Sequence, residues 1–198
     1  MVHAILRVPR RREMPVQVAI VRGITVVVEN TRPDIETATV LGRLDRALAL
    51  IARYQPWRFL HIRDDIARIV VKSFPCRGAY FPDERAILTE LSFLAREAEF
   101  TDAVVASSIL HEGVHARVDR MGQRLRFRRS AANRAREERL CRRAEFAFGA
   151  SLPTAIGAPV VARAGALHEL SDSEVAPDID WPAAWAAKAQ ADRLLGPE

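Results

Sequence analysis

Apolar residues change their period several times along the chain, and each change marks an element. The segment VQVAIVRGITVVVEN is dense in β-branched residues and interrupted at Arg22-Gly23, which predicts one or two strands with a turn there. In PDIETATVLGRLDRALALIARY (33–54), Leu41, Leu44, Leu48 and Ile51 recur at helical spacing, so an amphipathic helix follows. WRFLHI (57–62) and ARIVVKSF (67–74) read as strands. PCRG is a turn, AYF returns to extended structure, Pro82-Asp83 turns again, and AILTEL (86–91) is a further strand.

The second half is helical. FTDAVVASSILHEGVHARVDRMG (100–122) begins at a capping Thr101 or Asp102 and closes at Gly122, with Val104, Ile109 and Val114 on its apolar positions. A basic connector, QRLRFRRSAAN, leads to a second helix over 134–152. TAIGAPVVARAGALHEL fits neither period well. SDSEVAPDIDWP is a polar, proline-punctuated linker, and AAWAAKAQADRLL is a short helix that docks through Trp185. Strands and a helix first, then helices, predict an α+β fold.

A chain of 198 residues with 49% apolar residues can bury a sizeable core. The net charge is +5, nearly all of it from arginine. Cys76 and Cys141 are too few for a disulfide framework and form no C-x-x-C, which fits reduced thiols. No apolar run reaches membrane-span length. Arginines near the start are followed by an apolar stretch, as in an export signal. Arg22 interrupts that stretch and no cleavage site follows, so a cytoplasmic protein is expected.

The helix over 100–122 carries His111-Glu112-Gly113-Val114-His115, the H-E-x-x-H pattern. Positions i and i+4 share a helix face, so both imidazoles can offer a nitrogen to one Zn²⁺. Glu112 is displaced around the helix. It can instead take a proton from a water that the metal activates, as a general base does in peptide hydrolysis. A catalytic zinc takes three protein ligands. Val118 and Met121 stand where a metzincin would have its glycine and third histidine. His3, His61 and His168 do not fall on the next helix. That helix offers Glu137, Glu138 and Glu145. Asp119, four residues after His115, shares its face and is placed to accept a hydrogen bond from a ligand histidine.

Glu138-Arg139-Leu140-Cys141, an E-x-x-small pattern on the helix after H-E-x-x-H, resembles the gluzincins. The stretch from AILTEL through Pro153 is similar to small bacterial minimal gluzincins, including ImmA/IrrE-type metallopeptidases. The resemblance implies a zincin-like fold in which a small mixed or antiparallel sheet packs on the motif helix. It implies a zinc-dependent peptidase with His111, His115 and Glu138 as ligands and Glu112 as base. Glu145 is the alternative third ligand and Glu137 ranks after it. Cys141 reads as a small buried residue rather than a soft ligand. The position after the small residue holds Arg142, where such proteins have Asn or Asp, and no downstream Tyr or His offers itself as an oxyanion donor.

The expected organisation is a metallopeptidase domain over 1–170, with sheet and helix in 15–92 and zinc-binding helices in 100–152, then a linker and helical tail over 171–198. The expected partner is a protein or peptide substrate, with AILTEL edging the cleft where an extended peptide pairs with it. Two rivals stand beside this reading. One is a zinc-fold binding module without turnover. The other is a nucleic-acid-associated protein that uses the arginine-rich 117–143 segment, with Phe127 as a stacking residue.

Overall fold

A computed structural model describes residues 16–125, 131–166, 171–177 and 179–195. The chain opens with a hairpin, β1 (Val16–Val21) and β2 (Ile24–Glu29), joined at Arg22-Gly23. Both turn residues have positive φ, 50° and 81°. A two-residue hairpin needs that conformation because its twist matches the strands, and glycine adopts it without a Cβ penalty.

Helix α1 (Thr37–Tyr54) buries Val40, Leu44, Ala47, Leu48 and Ile51, the stripe its periodicity predicts plus the positions beside it. The next element departs from expectation. Residues 57–62 are not a strand but part of helix α2 (Pro56–Asp65). Pro56 occupies the first turn, where a missing N–H costs nothing. The run WRFLHI is too short for period to separate helix from strand, while Ile62 and Asp65, three residues apart, both turn inward.

Strands β3 (Arg68–Lys72), β4 (Gly78–Phe81) and β5 (Ala86–Glu90) complete a sheet of order β1-β2-β3-β5-β4. β2, β3 and β5 run parallel, and the outer strands β1 and β4 pair antiparallel to their neighbours. AILTEL is therefore not a cleft edge. Its strand β5 is buried at all five residues between β3 and β4, and β4 is the edge. A run buried on both faces reads as continuously apolar, as AIL does, and such a run belongs inside a sheet.

Short α3 (Leu91–Ala95) is capped by Glu90, whose Oε2 accepts the Phe93 N–H at 2.6 Å. Helix α4 (Asp102–Leu125) carries the H-E-x-x-H motif and touches α1, α2, β4, β5, α5 and α6. Its start is tied down by Arg43 of α1, which is almost wholly buried. Arg43 meets the Phe100 carbonyl, and its guanidinium lies 2.6 Å from Asp102 and 3.4 Å from Glu97. Helix α5 (Ala131–Ser151) packs back on α4, and α6 (Thr154–Gly165) settles the ambiguous TAIGAPVV segment as helix. The tail forms α7 (Asp172–Val175) and α8 (Trp181–Leu195). It is fixed to the domain rather than extended from it. The Trp181 and Trp185 rings lie 5.7 and 5.5 Å from Phe74, and Lys188 Nζ is 3.1 Å from Glu90 Oε1. No helix among the described residues is long and apolar enough to cross a membrane.

Candidate metal centre and cleft

Helix α4 brings His111 and His115 onto one face, one turn apart, and their Nε2 atoms approach to 3.2 Å. Helix α5 sets Glu138 against both: its oxygens lie 3.3 Å from His111 Nε2 and 3.1 Å from His115 Nε2. The opposite ring nitrogens are taken by two further carboxylates. His111 Nδ1 is 2.5 Å from Glu145 Oε1, and His115 Nδ1 is 2.7 Å from Glu137 Oε1. Glu145 is itself anchored, since Ser107 Oγ donates to it at 2.9 Å and Arg142 Nη1 at 2.8 Å.

This division of nitrogens bears on whether a cation fits. A carboxylate at Nδ1 holds the proton there and leaves the Nε2 lone pair facing the common point, as metal-bound histidines require. Two such lone pairs and an anionic oxygen are a donor set suited to zinc. The Cys141 thiol also comes within 4.8 Å of ligand atoms of both histidines. Residues 137, 141 and 145 are four apart, so Cys141 lies on the stripe of the two orienting glutamates. It is fully buried and does not line the cleft, whereas Glu138 and Arg142 do. The sequence offered Cys141 as a soft ligand but favoured a small buried residue, and the structure shows it both fully buried and near the histidines.

Without a cation the centre is strongly coupled. Burial works against a charged His111, but the Glu138 and Glu145 carboxylates outweigh it and lift its pKa to about 10. Burial is likewise overcome at His115, by Cys141, Glu137 and Glu138, and its pKa rises far above the ordinary value. The two histidines in turn outweigh burial at Glu138 and hold its carboxyl well below the usual range. Glu112 moves the other way. Burial pushes its pKa up, opposed by both histidines.

No protein-family model matches this chain, and no curated protein or solved structure matches it either.

Glu112 lies on the floor of a cavity of about 530 Å³ that also exposes His111, His115 and Glu138. Edge strand β4 passes directly over it: a Cβ on Gly78 would stand 3.2 Å from Glu112 Oε1 and 3.3 Å from Ser108 Oγ. The glycine thus lets the strand backbone approach the carboxylate. The expected role of Asp119 falls elsewhere. The carboxylate at His115 Nδ1 is Glu137, while Asp119 accepts the Tyr80 hydroxyl at 3.2 Å and so ties α4 to β4. Tyr80 is half-buried against the core and Phe81 is more exposed, its ring 6.1 Å from Phe74. His61 is distant from this centre in function, stacked edge-on against Trp57 beside a separate cavity behind α4. His3, His168 and Phe127 lie outside the described residues.

Proposed function

We propose that the protein is a zinc-dependent peptidase of the minimal gluzincin kind, with His111, His115 and Glu138 holding the ion and Glu112 as general base. The observation that carries this reading is the convergence of two Nε2 atoms and one carboxylate on a point at the floor of an open cleft, with Glu112 beside it. A zinc ion held there would polarise a peptide carbonyl and bring the pKa of a water down to ~7.

The chain's own groups would do the rest. Glu112 takes the proton of the attacking water and passes it to the leaving amine. Burial raises its pKa above the ordinary carboxylate value, opposed by both histidines. Glu145 and Glu137 keep the imidazoles oriented and compensate their charge. β4 is the edge strand at the cleft, and an extended substrate would add to the sheet there rather than at β5.

The test pairs metal content with turnover. Purified protein is expected to hold about one zinc per chain, lost in His111→Ala and His115→Ala. Glu112→Gln should keep the zinc and lose hydrolysis, because the amide fits but takes no proton. Wild-type protein that neither retains nor takes up zinc would end this reading.

The nearness of Cys141 favours a second one. A thiolate joining the two histidines and Glu138 would give four protein ligands, and such closed sites are structural. That chain would be a binding module. Substituting cobalt for zinc separates the two, since a thiolate ligand adds an intense near-ultraviolet charge-transfer band that Cys141→Ser removes.

A further inference from the structure

Around the cleft, beyond the metal-binding residues, stand four arginines. Arg77 comes from the loop before β4, Arg134 and Arg142 from α5, and Arg163 from α6. Arg142 is engaged by Glu145. Neither Arg77 nor Arg163 forms an ion pair with any described carboxylate. Arg77 is instead held by stacking, its guanidinium 4.6 Å from the centre of the Phe100 ring and 5.5 Å from that of Phe93.

Arg163 is disfavoured in its charged form by burial and further by the nearness of Arg77 and Arg142, with only Glu145 opposing. Like charges gathered on one wall repel, and the planar fork of arginine matches a carboxylate. Of the carboxylates that line the cleft, Glu138 and Glu145 face the histidines, and Glu112 lies under Gly78 of β4.

One stretch of this chain already sits at that wall. Val175, Pro177 and Ile179 line the cleft, and the segment they belong to, SDSEVAPDID (171–180), holds four acidic residues and no basic one. The residues it presents to the cleft are apolar, so this segment leaves Arg77 and Arg163 without a described carboxylate partner.

We infer that Arg77 and Arg163 select the substrate, and that the cleft takes peptides carrying carboxylates beside the bond to be cut. This rests on the peptidase reading for the word substrate, but the charge selection can be tested apart from it. The carboxylate has two sources, an acidic side chain or the peptide's own C-terminus.

The experiment measures binding of labelled peptides to zinc-loaded Glu112→Gln protein by fluorescence anisotropy at physiological salt. Acidic, neutral and basic peptides of equal length are used with amidated ends, plus a neutral one with a free carboxyl end. The acidic peptide should bind about tenfold or more tightly than the neutral amide. Arg77→Gln/Arg163→Gln should erase that preference. Arg53→Gln/Arg193→Gln, which removes the same charge away from the cleft, should keep it. If the free-acid neutral peptide alone shows the preference, the terminal carboxylate is the source.

Equal binding of all peptides, or equal loss in both double variants, overturns the inference. A single-stranded oligonucleotide that displaces the acidic peptide at lower concentration overturns it in favour of nucleic acid. If wild type cuts peptides with no charge preference, only this inference falls. If it binds acidic peptides selectively and cuts none, only the peptidase reading falls.

Discussion

Glu138 and Glu145 lie two turns apart on α5 and meet opposite nitrogens of the same imidazole. Their substitutions should therefore differ in kind. If the proposed site holds zinc, Glu138→Gln would remove an anionic donor from its three ligands and should weaken zinc binding most. Glu145→Gln and Glu137→Gln leave the donors but loosen their orientation, a loss on the order of 10–100-fold. A zinc competition titration across the three variants ranks them, and Glu145→Gln as the weakest binder would move the third ligand to Glu145.

The same carboxylates set a pH dependence. In the metal-free protein the pKa of His111 is raised from 6.5 to about 10. The stability this contributes is fully present below 6.5 and is lost as pH rises through about 10. Metal-free protein should therefore lose stability between neutral pH and pH ~10, while zinc-loaded protein, whose histidines are already deprotonated, should lose much less. Zinc added at neutral pH must also displace about two protons, one from each histidine. Chemical denaturation across that range checks the first outcome, and titration in weakly buffered solution counts the second.

At the scale of elements, the position of α4 decides where the motif points. Gly113, between the two histidines, faces Ile62 of α2. A Cβ there would lie 2.4 Å from Ile62 Cγ1 and 2.9 Å from Cδ1. Gly113→Ala should force the helices apart at a cost of about 1–3 kcal/mol. Pairing it with Ile62→Ala, which removes both the Cγ1 and the Cδ1 that the new methyl would meet, should recover part of that loss. Denaturant midpoints on the four members of the cycle measure the coupling, and strictly additive effects would mean that the two residues do not meet. One turn further along, the same two helices are joined where buried Asp65 accepts Arg117 at 3.2 Å and lies 3.3 Å from Arg120. Asp65→Asn should cost about 1–3 kcal/mol, the lower part of the range for a buried pair because both arginines remain about one-third exposed.

Across the whole molecule, the tail is the element whose place matters most for the cleft. Val175, Ala176, Pro177, Ile179 and Trp181 contribute one wall, and α8 is held to the domain through Phe74, Trp181 and Trp185 and through the Lys188–Glu90 pair. Trp185 remains 45% exposed, so the attachment is shallow. Trp185→Ala together with Lys188→Ala should free the segment without disturbing the metal centre. Limited proteolysis should then cut within 171–180 faster than in wild type, at unchanged zinc content. Cleavage at the wild-type rate would mean that other contacts hold the tail.

Local rules settled much of this protein. The Leu41/Leu44/Leu48/Ile51 stripe, the Arg22-Gly23 turn and the His111/His115 spacing each depend on neighbours within a few residues, and each is found where its period or turn chemistry put it. The α+β class followed from element order, and the carboxylates near the histidines from their place on the next helix. Other features depend on which surfaces meet. Residues 57–62 became helix because a short apolar run has no decisive period and packing of Ile62 and Asp65 chose for it. AILTEL moved from edge to interior because strand order is a property of the sheet, not of the strand. Glu137 rather than Asp119 reached His115 Nδ1 because the rotation of α5 against α4 decides which of several nearby carboxylates faces the ring. The arginine wall was legible only in part. Arg134 and Arg142 belong to the arginine-rich 117–143 segment, whereas Arg77 and Arg163 come from separate parts of the chain, and only folding around α4 brings all four to one cleft.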